Sequence, residues 1–194
     1  MVQRKILVLL GAEDKETTAG MLADAYERGA LYAKHELKRL NIGDLKFDPL
    51  LHKGYKVIQP LEPDLVEFQN KISWCDHFVI IYPNWWSCMP AALKGLFDRS
   101  WLPGFAFRFR KNKGYMWDKL LKGKSARVII TMNAVPLIER VANGDYTNEI
   151  RRGILKFAGF SPVRLWSVGP VERANESQKK NWIRKVEQMG RDAD

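Results

Sequence analysis

Two large flat rings, Trp85 and Trp86, stand side by side in the stretch "YPNWWSCMPAALKGLFDRSWLPGFAF" (residues 82–107), where a chain ordinarily makes a short polar loop. A planar aromatic ligand stacked on such rings gains roughly 0.5–1.5 kcal/mol beyond the area it buries. Pro83 fixes the exit from an apolar run and Pro90 lets a helix begin at once, so the amides of 84–89 are expected to be free for the polar edge of that ligand. The competing expectation is that one or both rings pack on a neighbouring helix or on a second subunit. Ser87 and Cys88 follow directly. Cys88 has no CxxC partner and no histidine close in sequence, which argues against a thiolate nucleophile.

Two further stretches carry groups that suit a ligand. "GAEDKETTAG" (11–20) offers the hydroxyls of Thr17 and Thr18 and a helix N-terminus to a phosphate, but its carboxylates oppose an anion and Lys15 is its only cation. Ordinary capping by Thr17 explains the same residues equally well. "TMNAVP" (131–136) presents Thr131 and Asn133, suited either to a ring edge or to a simple side-chain turn. No GxGxxG and no GxxxxGK[ST] occurs, so neither a dinucleotide fingerprint nor a P-loop is present.

The elements that must position these residues show in the apolar pattern. "KILVLLG" (5–11), "DHFVIIYP" (76–83) and "SARVIITMN" (125–133) are apolar and β-branched without strict alternation, as strands buried on both faces are. Weaker strands fall at 35–42 and 161–170. Between them run helical stripes: Met21 or Leu22 with Ala25, Tyr26 and Gly29; Leu61, Leu65, Phe68 and Ile72, with Pro63 in the first turn; Met89, Leu93, Leu96 and Phe97; Ile150, Ile154, Phe157 and Ala158; and Trp182, Ile183, Val186 and Met189 after the cap Asn175. Strand and helix alternate five strands long, which predicts one doubly wound α/β domain over 1–194 with right-handed crossovers. Ligands of such sheets bind beyond the carboxyl ends of the strands, and the loops 11–18, 82–89 and 131–146 occupy those positions. The irregular stretches 43–60 and 102–124 are long for connectors.

Bulk properties narrow the class. Two cysteines, Cys75 and Cys88, and three histidines exclude a disulfide framework and a structural zinc site, and fit a reducing cytoplasm. The run Ile6–Leu10 is too short for a signal-peptide core, and no run approaches the roughly 18–20 apolar residues of a membrane span, so a soluble protein is expected. A net charge of +10 raises the question of nucleic acid, yet Arg108, Arg110, Lys111, Lys113, Lys119, Lys122 and Lys124 are scattered as on a solvated surface.

Residues 82–107 resemble the flavin-binding segment of the flavodoxin-like NAD(P)H:quinone oxidoreductases, a group that includes modulator-of-drug-activity reductases and potassium-efflux ancillary proteins. "GAEDKETTAGMLADAYERGA", "TMNAVP" and "RRGILKFAGFSPVRLWSVGPV" extend the resemblance over nearly the whole chain. It implies a five-stranded parallel sheet of order 2-1-3-4-5 with helices on both faces. It also implies a flavin, FMN or alternatively FAD, on Pro83, Asn84, Trp85, Trp86 and Ser87, with Thr131, Met132, Asn133 and Ala134 along its other edge and Thr17 and Thr18 at the phosphate. The activity implied is hydride transfer from NAD(P)H through the flavin to a quinone or other planar acceptor. A reactive flavin face needs shelter from water that one open sheet does not give, so a homodimer is expected, with the apolar stretch "WLPGFAFRF" (101–109) as lid and contact surface. An ancillary or regulatory role on a transporter is the alternative; membrane insertion and nucleic-acid binding are not implied. The chain departs from the family at Ala12, where relatives carry histidine, at Asn133 and Ala134 in place of a glycine pair, and at Glu139 and Asp145 in a loop that elsewhere carries a tyrosine and a histidine. Glu139 is expected either to face the ring near N1 or to pair with Arg140 or another surface cation.

Overall fold

The computed structural model describes residues 2–110 and 116–193; Lys111 and Lys113 lie outside the described residues. Five parallel strands, β1 (Lys5–Leu10), β2 (Glu36–Asn41), β3 (His77–Pro83), β6 (Ser125–Thr131) and β7 (Val163–Val168), form one sheet in the order β2-β1-β3-β6-β7. That is the order 2-1-3-4-5 when the strands of this sheet alone are counted. Registers such as Leu10↔Ile81, Pro83↔Thr131 and Thr131↔Val168 align the carboxyl ends of β1, β3, β6 and β7 along one edge.

Side chains of successive residues leave opposite faces of a strand, so each central strand feeds two cores. Ile6, Val8 and Leu10 join Val79, Ile81 and Ile129 beneath the helices α1 (Thr18–Tyr32) and α5 (Glu176–Asp192). Leu7, Leu9, Phe78, Ile80, Val128 and Ile130 face the opposite layer. That layer holds α2 (Pro63–Trp74), α3 (Ala91–Ser100) and a π-helical segment, Glu149–Lys156. Of the first stripe it is Leu22, not Met21, that is buried, with Ala25, Tyr26 and Gly29. A Cβ on Gly29 would collide with the Glu187 carbonyl and one on Gly190 with the Tyr26 carbonyl, which is how α1 and α5 come so close. Asn175 caps α5 reciprocally with Gln178, satisfying a donor at each end of the first turn.

The described residues of both long irregular stretches are organised. Residues 102–124 contain a small antiparallel pair, β4 (Phe107–Phe109) and β5 (Trp117–Lys119). Residues 43–60 fold as a strap across α3: Pro49 sits where a Gly95 side chain would be, and the guanidinium of Arg99, 1% exposed, holds the carbonyls of Asp48 and Pro60 and the Glu62 carboxylate. The loop expected at 131–146 contains a further helix, α4 (Pro136–Asn143), whose residues are not buried; Leu137, Ile138 and Val141 are exposed. The helical stripe near 150 is wound more loosely than an α-helix: the Phe157 amide donates to the Arg152 carbonyl, and Leu155 joins Ile150, Ile154 and Ala158 in the core.

Candidate functional site

The tryptophan pair sits on a tight hairpin. Trp85 and Cys88 exchange both backbone hydrogen bonds, at 2.9 and 3.0 Å, and the two residues between them take left-handed conformations, φ 53° at Trp86 and 58° at Ser87. A two-residue turn with both central φ positive has a twist that suits a hairpin but ordinarily calls for glycine or asparagine. A tryptophan and a serine there cost roughly 1–2 kcal/mol each. The strained turn leaves Trp85 52% exposed and Trp86 fully exposed. The Trp86 ring therefore packs on no helix of the chain, while Trp85 is about half buried. The hairpin also uses half of the amides expected to be free: Asn84 donates to the Thr131 carbonyl at 2.7 Å, and Trp85 and Cys88 to each other. Among the described residues only the Trp86 and Ser87 amides of the hairpin keep no partner.

Four strand-end loops converge here. A cavity of about 410 Å³ is lined by Ala12, Glu13, Asp14, Thr17, Thr18 and Ala19 of the first, by Pro83, Asn84 and Trp85 of the second, by Thr131, Met132 and Asn133 of the third, and by Val171 and Glu172 of the fourth. A second cavity of about 600 Å³ shares Asn84, Met132 and Asn133 with it and adds Trp86, Ser87, Ala134, Glu139 and Asn143. Each residue expected at the site thus lines one of two adjoining cavities. Thr17 is at the same time the N-cap of α1, accepting from the Gly20 amide at 3.2 Å and donating to the Asp14 carbonyl at 3.2 Å. The amide group of Asn133 is likewise committed, donating to Glu172 at 2.6 Å and accepting from its backbone at 3.3 Å.

Glu139 does not pair with Arg140, which binds Asp145 at 3.0 Å. Its Oε1 accepts from the Ser87 hydroxyl at 2.7 Å and from Asn84 Nδ2 at 3.3 Å, and its Oε2 from Asn143 at 3.1 Å. The carboxylate therefore clasps α4 to the hairpin, and the Ser87 hydroxyl, followed by the two amides, holds its pKa below the ordinary carboxylate value. Cys88 donates its Sγ–H to Glu149 at 3.1 Å; burial first, and that carboxylate second, push the thiol up, which keeps it protonated and unsuited to nucleophilic attack. Burial pushes Cys75 up to about 12. Among the described residues no group of histidines, cysteines and carboxylates could hold a metal, and no helix is long and apolar enough to cross a membrane.

The stretch expected to serve as lid and contact surface is divided between core and surface, with Pro103, Gly104, Arg108 and Phe109 exposed. Trp101, Ala106 and Phe107 are buried, and Phe109 is its one largely exposed aromatic. Val171 and Glu172 of the fourth loop escaped the sequence reading, although the signal was the same positional one: they follow a fifth parallel strand beside β6.

Comparison with known proteins agrees with this architecture. The ribosyldihydronicotinamide dehydrogenase [quinone] of Pongo abelii is 30% identical over 68% of this chain and 58% of its own length. The NAD(P)H dehydrogenase [quinone] 1 of Rattus norvegicus is 27% identical over 87% and 70%. An NAD(P)H:quinone oxidoreductase from Methanothermobacter marburgensis superposes with a TM-score of 0.81 over 98% of this chain and 97% of its own, at 21% identity, a likeness of fold. The chain spans from 51% to 62% of the length of the curated relatives it matches first. With residues 4–189 matched by the model of the family described by its flavodoxin-like fold, and with that family's sheet order observed, the chain belongs to it.

Proposed function

We propose that the protein is a flavin-dependent oxidoreductase that passes a hydride from NAD(P)H to a quinone or similar planar acceptor. The observation that carries this reading is the strained hairpin that holds Trp85 and Trp86 out of the core beside two adjoining cavities at the strand ends. The fully exposed ring of Trp86, held at positive φ, gains no packing from the chain itself, and a planar ligand or partner laid against it would account for it. The residues fit the ring system of a flavin: Trp85, Trp86 and Met132 offer apolar surface, and the free amides of Trp86 and Ser87 with Thr131 offer polar contacts at its edge. FMN, with FAD as the alternative, is the form the family resemblance implies. Bound there, a flavin supplies two-electron chemistry between a nicotinamide and an acceptor, while the protein's part is to orient it, exclude water and set the charge at its edge.

The exposed apolar residues Leu137, Ile138 and Val141 of α4, the helix whose Glu139 and Asn143 line the cavity with Trp86, favour a second copy of the chain as cover for the site. A monomer by light scattering that is fully active excludes that part of the reading. For the activity, the purified protein is titrated with flavin and assayed for NAD(P)H oxidation with a benzoquinone acceptor. Oxidation that depends on flavin and acceptor is the expected result. Flavin binding with no oxidation would instead favour the ancillary, partner-binding role, and no binding would remove the flavin altogether.

Glu139 provides a finer test. A carboxylate at the ring cavity opposes negative charge gained on reduction. Glu139→Gln keeps the acceptor for Ser87 and removes the charge, so the midpoint potential of the bound flavin is expected to rise and its reduction by NAD(P)H to quicken by about two- to tenfold. An unchanged potential would confine Glu139 to clasping the two loops.

A further inference from the structure

The charged side chains that line the two cavities are all acidic. Glu13, Asp14 and Glu172 line the first and Glu139 the second, and among the described residues no lysine, arginine or histidine lines either. In a chain of net charge +10 this is the reverse of what composition alone would place there.

Glu13 and Asp14 lie in the loop that leads into α1, where a phosphate on a flavin side chain would be expected, and Glu172 lines the same cavity. The Thr18 and Ala19 amides at the head of α1 are free of partners and favour an anion. The positive end of a helix is worth about half a charge, against which stand three full negative charges on the same cavity. The one cation of the loop does not redress this, because Lys15 Nζ is drawn 2.7 Å from Asp44. Nor are the carboxylates casually placed. Asp14 accepts from the Glu16 amide at 2.8 Å, and Glu172 is held by Asn133. The loop is seated on the helix so closely that a side chain on Gly20 would strike the Lys15 carbonyl.

We infer that this site holds its flavin by the ring system and draws no affinity from the phosphate, so that riboflavin binds at least as tightly as FMN. The inference rests on the flavin reading above and concerns which form of flavin these residues accept. Riboflavin and FMN differ only in a phosphate monoester, which carries about −1.5 to −2 charge at neutral pH, so their ratio of affinities isolates the carboxylates' effect. Repulsion is also screened by salt, so FMN should bind more tightly as salt rises, the opposite of a site that attracts phosphate.

The test is a fluorescence titration of the whole protein with riboflavin and with FMN, at about 20 and about 500 mM salt, where screening lengths differ severalfold. It is repeated on the variant Glu13→Gln/Asp14→Asn, in which both changed positions are exposed and the asparagine keeps the acceptor for Glu16. The expected result is a riboflavin Kd equal to or below that of FMN at low salt, FMN binding that tightens with salt, and about tenfold tighter FMN binding in the variant with riboflavin unchanged. FMN binding more than about threefold tighter than riboflavin at low salt, or weakening as salt rises, overturns the inference while leaving the flavin reading in place. A variant that alters both ligands equally overturns it as well. If neither flavin binds, the flavin reading fails and takes the inference with it.

Discussion

Replacing Trp85 and Trp86 together by alanine is expected to leave a folded protein whose flavin affinity has fallen by about a hundredfold. Two stacked rings contribute roughly 1–3 kcal/mol beyond area burial, and the apolar area they shield adds about 1 kcal/mol more. Roughly 3 kcal/mol is two decades in Kd. The fold should not suffer, because Trp86 is fully exposed, Trp85 about half exposed, and neither belongs to either core. A second substitution separates ligand binding from structure by its sign. Glycine adopts positive φ without the penalty that Trp86 pays at φ 53°, so Trp86→Gly should raise the unfolding free energy by about 1 kcal/mol while weakening flavin. Calorimetry and a flavin titration on the same samples check both halves. A Trp86→Gly protein that loses stability would show that the ring packs on something the chain supplies, and an unchanged Kd in the double variant would move the ligand elsewhere.

What the sequence discloses and what it conceals divide along a physical line. The three central strands are legible because burial on both faces leaves each with an unbroken apolar run, 6–10, 78–82 and 128–130, and Asn175 because a cap with its Gln178 partner is a local pattern. The helix α4 is concealed by the same logic inverted. Its apolar residues Leu137, Ile138 and Val141 face solvent within eight residues, so no buried stripe marks it. The amides of 84, 85 and 88 were expected free because nothing in "PNWWSC" announces a hairpin; the usual glycine or asparagine is missing from the turn itself. Nor could the fate of Lys15 be read, since its partner Asp44 arrives from the loop after a different strand. Contacts between loops that are distant in sequence decide the electrostatics of this site, whereas the sheet that brings the loops together is written in short-range periodicity.

The buried guanidinium of Arg99 should be the costliest single position in the layer that carries α3. Arg99→Met is expected to destabilise the protein by about 3–5 kcal/mol, because it leaves the Glu62 carboxylate without its partner and strands the carbonyls of Asp48 and Pro60. Glu62 keeps 30% of its side chain in water, which argues for the lower end of that range. For a chain of this size the loss corresponds to a fall in Tm of roughly 6–20 °C. Adding Glu62→Leu should recover part of it, since an unpaired charge costs more than an apolar replacement of the pair. The effect carries a definite pH signature. Burial pushes the Glu62 carboxyl up, but Arg99 and the amides of Glu62 and Asp48 together hold it below its ordinary value of 4.5. A carboxylate depressed in the folded state gives its full stabilisation above its unfolded pKa and loses it as pH falls through the folded one. The gap in stability between the wild type and Arg99→Met should therefore be constant near neutrality and narrow below about pH 4.5. Flavin affinity, measured where both proteins are folded, should be the same, because the strap that Arg99 fastens lines neither cavity. Denaturant unfolding across that pH range is the measurement. A gap that stays constant into acid would mean that the carbonyl hydrogen bonds, and not the ion pair, carry the contribution of Arg99.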